Sequence, residues 1–250
     1  MAALARRAAI GIVSAMPTDG LPPTRDAIHR RSARAEAPTR IETALATADR
    51  WADVVTLMGG NGDRGCWCQP WRGPARGYGV SGVNRPAALR AQLEDDPPPG
   101  ILAYVDGEVA GWVGFGPRPR LARLVRSRTI PAIDDRPVWS IICFLIRVGY
   151  RRRGVAGALL DAVVDLARRS GAPGVEAYPV DPEGSRVDVN FGYVGFTSMF
   201  ERRGFRRVLE TAARSDRRNR WLMRLDFSGV VSDRQAAAGD RAPRRAGSRL

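Results

Sequence analysis

Two contrasting hydrophobic patterns follow each other in the middle of the chain. Residues 138–146 (VWSIICFLI) are almost all apolar, which is typical of a strand buried on both faces. The next segment has apolar residues at the spacing of an amphipathic helix, predicted over 155–170 with a left-handed cap at Gly171. A buried strand that leads into an amphipathic helix is therefore the central unit of the predicted fold.

Further elements are predicted on both sides of this unit. Strands at 101–105 and 109–115 flank Asp106-Gly107, a dipeptide typical of a hairpin turn. The other predicted elements are helices at 48–58, 84–94 and 195–203, and strands at 175–178, 205–209 and 221–227. Residues 61–78, 117–137 and 215–219 are expected to be loops. This order predicts a mixed α/β sheet with a strand–helix crossover at its centre.

Composition sets the predicted domain boundaries. Residues 1–40 and 229–250 are rich in Ala and Arg without a sustained period, so both tails are expected to be disordered or loosely attached. The α/β domain is expected at 41–228. The first fifteen residues resemble a secretion signal only weakly, and Met16 is an alternative start.

The chain is strongly basic, with a net charge of +14 carried entirely by arginine. Codon usage in a GC-rich genome explains this more simply than a nucleic-acid surface does, because no recognition-helix motif or aromatic RNA-binding signature accompanies the charge. A nucleic-acid partner is therefore not expected. The charge within the predicted domain suits an anionic ligand.

Scarce cysteine and histidine exclude several kinds of site. Three cysteines (Cys66, Cys68 and Cys143) argue against a disulfide framework and fit a reducing cytoplasm. The single histidine, His29, leaves too few ligands for structural zinc and no Ser-His-Asp triad. No apolar run approaches the roughly 18–20 residues that span a bilayer. We therefore expect a cytoplasmic protein without a metal site or a membrane segment.

Glycines and arginines separate the buried strand from the helix. The first N–H groups of a helix lack intrahelical partners and carry the positive end of the helix dipole. Small residues at Gly154, Ala156 and Gly157 let a phosphate approach this backbone, and arginines at 151–153 add forked donors. On these residues alone, an ordinary strand–helix turn with solvated arginines is an equal alternative.

Arg151-x-x-Gly154-x-Ala156 resembles the R/Q-x-x-G-x-G/A signature of the GNAT acetyltransferases. A short predicted helix that ends in Gly204-Phe205 resembles the superfamily's second landmark. The resemblance covers most of residues 45–228 and implies a GNAT-like acyl-CoA N-acyltransferase fold, with splayed central strands and flanking helices. Four segments resemble a bacterial subgroup of this superfamily: 65–72 (GCWCQPWR), 111–118 (GWVGFGPR), 138–144 (VWSIICF) and 176–181 (EAYPVD).

The resemblance implies an acetyl-CoA-dependent N-acetyltransferase. An amine of a small molecule or peptide would attack the acetyl group directly, while the protein positions the reactants and stabilises the oxyanion. The strand backbone would pair with pantetheine, and the helix start would hold the pyrophosphate. The residues implied to bind acetyl-CoA are Phe144, Ile146, Arg151, Arg152, Arg153, Gly154, Val155, Ala156 and Gly157.

The catalytic groups are less specified by the resemblance. Many members use a tyrosine as general acid, at the position that Phe200 occupies here. Tyr193 and Tyr178 are candidate replacements, with plain packing of the rings as the alternative for both. Glu176 interrupts an apolar strand and is the candidate general base, unless an arginine pairs with it. Asp181 is the second candidate base.

Several interpretations stay open. Cys143 is either an acyl-accepting thiol or a small core residue, and 66–71 either packs on the core or forms a wall of the acceptor pocket. The arginine-rich segment 117–137 suits an acceptor with an acidic or phosphorylated group. The alternatives to an enzyme are a non-catalytic acyl-CoA-binding protein and a basic protein associated with nucleic acid. A homodimer is one of the oligomeric states compatible with the sequence.

Overall fold

The computed structural model describes residues 40–60, 65–73, 84–185, 187–188 and 192–227. The predicted C-terminal tail lies outside these residues, and so does the predicted N-terminal tail apart from Arg40. The boundaries proposed for the domain at 41–228 therefore stay predictions.

One mixed sheet of seven strands organises the described part of the chain, in the order β1-β2-β3-β4-β5-β7-β6. Only β4 and β5 run parallel; the other neighbours are antiparallel. The predicted mixed α/β fold is thus confirmed. The strands are β1 (Ile41–Leu45), β2 (Gly100–Val105), β3 (Glu108–Pro117), β4 (Trp139–Ile146), β5 (Gly174–Ala177), β6 (Arg206–Ser215) and β7 (Arg218–Asp226).

The helices flank the sheet, and the longest of them is the predicted crossover between the two parallel strands. They are α1 (Trp51–Met58), α2 (Arg85–Gln92), α3 (Ala122–Val125), α4 (Val155–Arg169) and α5 (Thr197–Glu201). α4 buries the apolar stripe that its sequence pattern predicts, including Leu159, Leu160 and Val163. Within the described ranges, no helix is long and apolar enough to cross a membrane.

Two layers of apolar side chains cover opposite faces of the sheet. α4 packs on one face, over residues such as Phe115 and Phe200. Residues of α1, α2 and the Trp67 loop pack on the other face, around Trp112 and Leu222. Because β-strand side chains alternate, successive residues of the central strands face the two layers in turn.

Three local predictions were incomplete. The edge strand β1 was not predicted, because half-exposed polar residues break up its short apolar pattern. The expected loop at 117–137 contains the single-turn helix α3. β6 and β7 extend to a tight turn at Asp216 and Arg217, whose φ angles of 50° and 63° are left-handed without a glycine to signal it.

Candidate functional site

The two parallel strands separate at the centre of the sheet. β4 and β5 pair only over 139–141 with 175–177, after which β5 ends and β4 continues to Ile146. A register shift between Gly114 and Phe115 of the neighbouring β3 marks a bulge beside the same point. This separation confirms the predicted splay. It leaves backbone groups of β4 that an extended ligand can pair with.

The turn that follows β4 delivers the start of α4 to this opening. Gly149 and Gly154 have φ angles of 93° and 87°, in the region that favours glycine. Gly154 is the N-cap residue, and its carbonyl accepts the first helical hydrogen bond, from Ala158 N–H at 3.0 Å. The N–H groups of the first turn have no carbonyl partner within the helix. They therefore offer donors to an anion at the residues that sequence reasoning selected: Val155, Ala156 and Gly157.

Arg151, Arg152 and Arg153 surround this helix start, and all three are exposed. Arg151 Nε donates to Ile146 O at 3.3 Å, so its guanidinium lies beside the end of β4. Arg153 lies 3.8 Å from a carboxylate oxygen of Asp106. The three arginines and the helix start place positive charge and hydrogen-bond donors together, which suits a phosphate group.

A further arginine, missed by sequence reasoning, lies against the helix start. Arg203 Nε and Nη2 donate to the two carboxylate oxygens of Asp161, at 2.5 and 3.1 Å. Its guanidinium crosses α4 at Gly157, where a Cβ would come within 2.4 Å of Nη2. Glycine at 157 therefore makes room for a side chain of this protein, besides leaving the backbone accessible.

Phe144 and Phe200 meet on the α4 side of the opening. Phe144 on β4 is 7% exposed, and its ring packs edge-on to Phe200 at 6.2 Å between centroids. Phe200 is fully buried and packs edge-on to Phe205. The position where the resemblance to GNAT proteins predicts a tyrosine thus holds a core ring without a hydroxyl. Ile146, the second predicted strand residue, is half-buried at the end of β4.

Glu176 lies on the opposite face and is fully buried. Its Oε1 accepts hydrogen bonds from Tyr178 at 2.6 Å and Ser140 at 3.3 Å, and forms an ion pair with Arg118 Nε at 2.9 Å. Its Oε2 accepts from Arg224 Nη2 at 3.2 Å. The carboxylate is therefore paired with two arginines. Arg224 interrupts an apolar strand just as Glu176 does. These two opposite charges in otherwise apolar strands could have predicted the ion pair from the sequence.

Tyr178 is held with its proton directed at Glu176. Burial, and next the negative charge of Glu176, raise the pKa of Tyr178 well above its ordinary value. The phenol therefore stays protonated near neutral pH. Its hydroxyl is also 3.0 Å from Ser140 Oγ. The hydroxyl hydrogen is already engaged inside the fold.

Tyr193 lies in a short 3-10 helix, Gly192–Val194, that packs against β4. It is half-buried, and its hydroxyl oxygen accepts a hydrogen bond from Arg220 Nη2 at 2.6 Å. The phenolic hydrogen is not used in that bond. Of the two candidate tyrosines, Tyr193 thus has the hydroxyl that can donate to a group beside β4.

Asp181, the second candidate base, is already bound by neighbouring groups of the protein. Its carboxylate accepts the backbone N–H of Glu183 at 2.9 Å and forms an ion pair with Arg207 Nη1 at 2.6 Å. The backbone hydrogen bond, and next Arg207, hold the pKa of Asp181 below its ordinary value. A carboxylate with a lowered pKa is a weaker base near neutral pH.

Cys68 and Cys143 lie side by side beneath the opening, while Cys66 is exposed. The thiol of Cys143 donates to Cys68, and this hydrogen bond holds the pKa of Cys68 below its ordinary value. The same contact raises the pKa of Cys143 well above its ordinary value. Cys143 thus keeps its proton, which favours packing over acyl transfer, since the thiolate is the nucleophile. Among the described residues, no cluster of three or more Cys, His, Asp or Glu could hold a metal ion.

Residues 69–186 match the sequence model of the acetyltransferase (GNAT) family. The chain is similar to an acetyltransferase of the GNAT family from Streptococcus pneumoniae, at 16% identity over 75% of this chain and 99% of that chain, with a TM-score of 0.45. It is also similar to yncA, a putative acetyltransferase from Salmonella typhimurium solved with acetyl-CoA, at 13% identity over 77% and 96% of the two chains, with a TM-score of 0.47. None of the curated proteins compared with the chain is significantly similar to it.

Proposed function

We propose that this chain, which belongs to the acetyltransferase (GNAT) family, is a cytoplasmic acetyl-CoA-dependent N-acetyltransferase that acts on an amine of a small molecule or peptide. The observation that carries the proposal is the separation of β4 from β5 directly in front of an arginine-flanked helix start. The three free cysteines support the cytoplasmic location.

Acetyl-CoA fits the two groups of residues described above, the backbone of β4 at the opening and the arginine-flanked start of α4. The backbone of β4 at Phe144 and Ile146 would pair with the amides of the pantetheine arm. The N–H groups at 155–157, together with the arginines at 151–153, would bind the pyrophosphate. The thioester would then lie beside β4, on the side where β5 has ended. The protein contributes binding, orientation and hydrogen-bond donors to this reaction.

Tyr193 is our candidate for the general acid that protonates the departing thiolate. Its hydroxyl faces Arg220, which donates to the phenolic oxygen and leaves the phenolic hydrogen available. Tyr178 is the alternative, but its hydrogen is held by the buried Glu176 carboxylate. A proton that is already in a short, buried hydrogen bond is harder to transfer to a substrate atom.

The contacts of Glu176 support a positioning role rather than the predicted role of general base. Two guanidinium groups and the Tyr178 hydroxyl contact its carboxylate, and no part of the residue is exposed. Base function stays the alternative, and it requires one of the arginines to leave the carboxylate. In the positioning role, Glu176 ties Ser140 of β4 to Arg224 of β7, one residue before β5 ends.

Acetyl transfer to a broad panel of amines tests the proposal, with release of CoA thiol as the readout. Turnover that depends on an amine supports an N-acetyltransferase. Acetyl-CoA binding without turnover on any amine supports the second candidate function, a non-catalytic acyl-CoA-binding protein. The buried Phe200 ring favours that second function, because it removes the hydroxyl that many GNAT enzymes use.

A further inference from the structure

One buried arginine near the opening is not neutralised. Arg220 on β7 is 6% exposed and makes no ion pair with any carboxylate in the described part of the chain. Its Nε is buried without a hydrogen-bond partner, and Nη2 donates to the Tyr193 hydroxyl at 2.6 Å. The other buried arginines on this face, Arg118 and Arg224, both pair with Glu176. Buried charges are normally paired, so Arg220 is an exception that points to a ligand.

Two aromatic rings hold the Arg220 guanidinium. Its Cζ lies 5.4 Å from the centroid of Tyr193 and 5.9 Å from that of Trp71. Cation–π contacts stabilise the charge and fix the plane of the guanidinium, but they leave its N–H donors unsatisfied. The guanidinium is therefore an oriented fork of donors that contacts two aromatic rings.

The Arg220 guanidinium lies where the acceptor would approach, rather than at the predicted CoA-binding turn. Val180, beyond the end of β5, pairs with Arg220 as an isolated bridge. Strand alternation places the Arg220 side chain on the face of Leu222, the face that α4 does not cover. The predicted phosphate-binding residues belong to the turn before α4, on the other side of β4. An acceptor amine that approaches the thioester from the face opposite α4, beyond the end of β5, would thus meet Arg220.

We propose that Arg220, held beside Trp71 and Tyr193, binds a carboxylate of the acceptor, so that the substrates are amines that also carry a carboxylate. This inference rests on the proposed function, and it narrows the substrate class. A single planar guanidinium matches the two oxygens of a carboxylate. Binding there would neutralise the buried charge and would orient the amine.

Ligand-observed saturation-transfer NMR on the full chain tests the assignment without turnover. The probes are N-acetyl amino acids with one, two or three carbons between nitrogen and carboxylate, each compared with its carboxamide and with O-phosphoethanolamine. Arg220→Gln removes the fork. Arg214→Gln is the matched control, because Arg214 is exposed on the adjacent β6 and, among the described residues, its side chain donates to Asn219 alone.

We expect the acids to saturate several-fold more than their carboxamides with wild type and with Arg214→Gln, and this preference to vanish with Arg220→Gln. Should Arg220→Gln fail to fold, Arg220→Lys keeps a positive charge beside the two rings and is expected to reduce the preference. Equal signals from acids and amides, no signal from the acids, a stronger signal from the phosphorylated amine, or a preference that survives in the folded Arg220 variants would overturn the assignment. Acid binding without acetyl transfer to any amine would instead contradict the proposed function alone.

Discussion

At the scale of single residues, the hydrogen-bond partners of two tyrosines distinguish their roles. Tyr178 is buried and donates to Glu176, whereas Tyr193 accepts from Arg220 and keeps its hydrogen free. Both residues were equal candidates in the sequence, because composition and spacing say nothing of which hydroxyl is engaged. The structure adds the direction of each hydrogen bond, and that direction leads to opposite expectations for the two phenylalanine variants.

Tyr193→Phe is expected to slow acetyl transfer while the fold stays intact. Loss of a general acid typically lowers kcat by about 10²–10⁴-fold. Tyr178→Phe is the matched control: it removes a buried hydroxyl and should lower stability by about 1–3 kcal/mol, with a smaller effect on kcat. Steady-state kinetics and urea unfolding of both variants measure the two effects. A larger loss of kcat in Tyr178→Phe would reverse the assignment.

Glu176→Gln tests the positioning role at the same scale. The variant keeps the shape of the side chain but leaves Arg118 and Arg224 without their shared buried counter-charge. Removing one partner of a buried ion pair costs about 3–5 kcal/mol, so the midpoint of urea unfolding should fall sharply. Full stability together with a loss of kcat would instead identify Glu176 as the base.

At the scale of elements, polar contacts tie the loop before β4 to the sheet. Arg224 on β7 donates to Asp134 as well as to Glu176, so the segment between α3 and β4 is fixed to the far side of β5. Arg136 donates to Asp226 at the end of the same strand. These contacts fix the segment before β4 to the part of β7 that pairs with β5.

Lowering the pH should weaken the contact between Arg224 and Asp134. The hydrogen bonds from Arg224 hold the pKa of Asp134 below its ordinary value of 3.8. A carboxylate whose pKa is lowered in the folded protein stabilises the fold at every pH above its ordinary pKa. This contribution is lost as the pH falls through the lowered pKa. Asp134→Asn should therefore lower Tm at pH 6, and the difference from wild type should shrink below about pH 3.8. A difference in Tm that does not change between pH 6 and pH 3 would contradict this account.

At the scale of the whole molecule, the central unit was predictable and its surroundings were not. The apolar run of β4 and the periodic stripe of α4 are strong local patterns, so the crossover and the helix start followed from them. β1 was missed because a half-exposed edge strand has no such pattern. The roles of Arg203 and Arg220 depend on contacts between residues 42 and 27 positions apart, with Asp161 and Tyr193, and no local pattern encodes them.

The most direct test of the account is calorimetry of acetyl-CoA binding to the full chain, in wild type, Gly154→Asp and Gly154→Asn. Asp and Asn tolerate the left-handed backbone at 154 about equally, so the two variants differ in charge rather than in strain. We expect wild type to bind acetyl-CoA with a Kd in the micromolar range. The Asp variant should bind at least about tenfold more weakly than the Asn variant, because its carboxylate would face the pyrophosphate. A well-folded wild type that does not bind acetyl-CoA would contradict the central claim and leave 151–157 as an ordinary strand–helix turn.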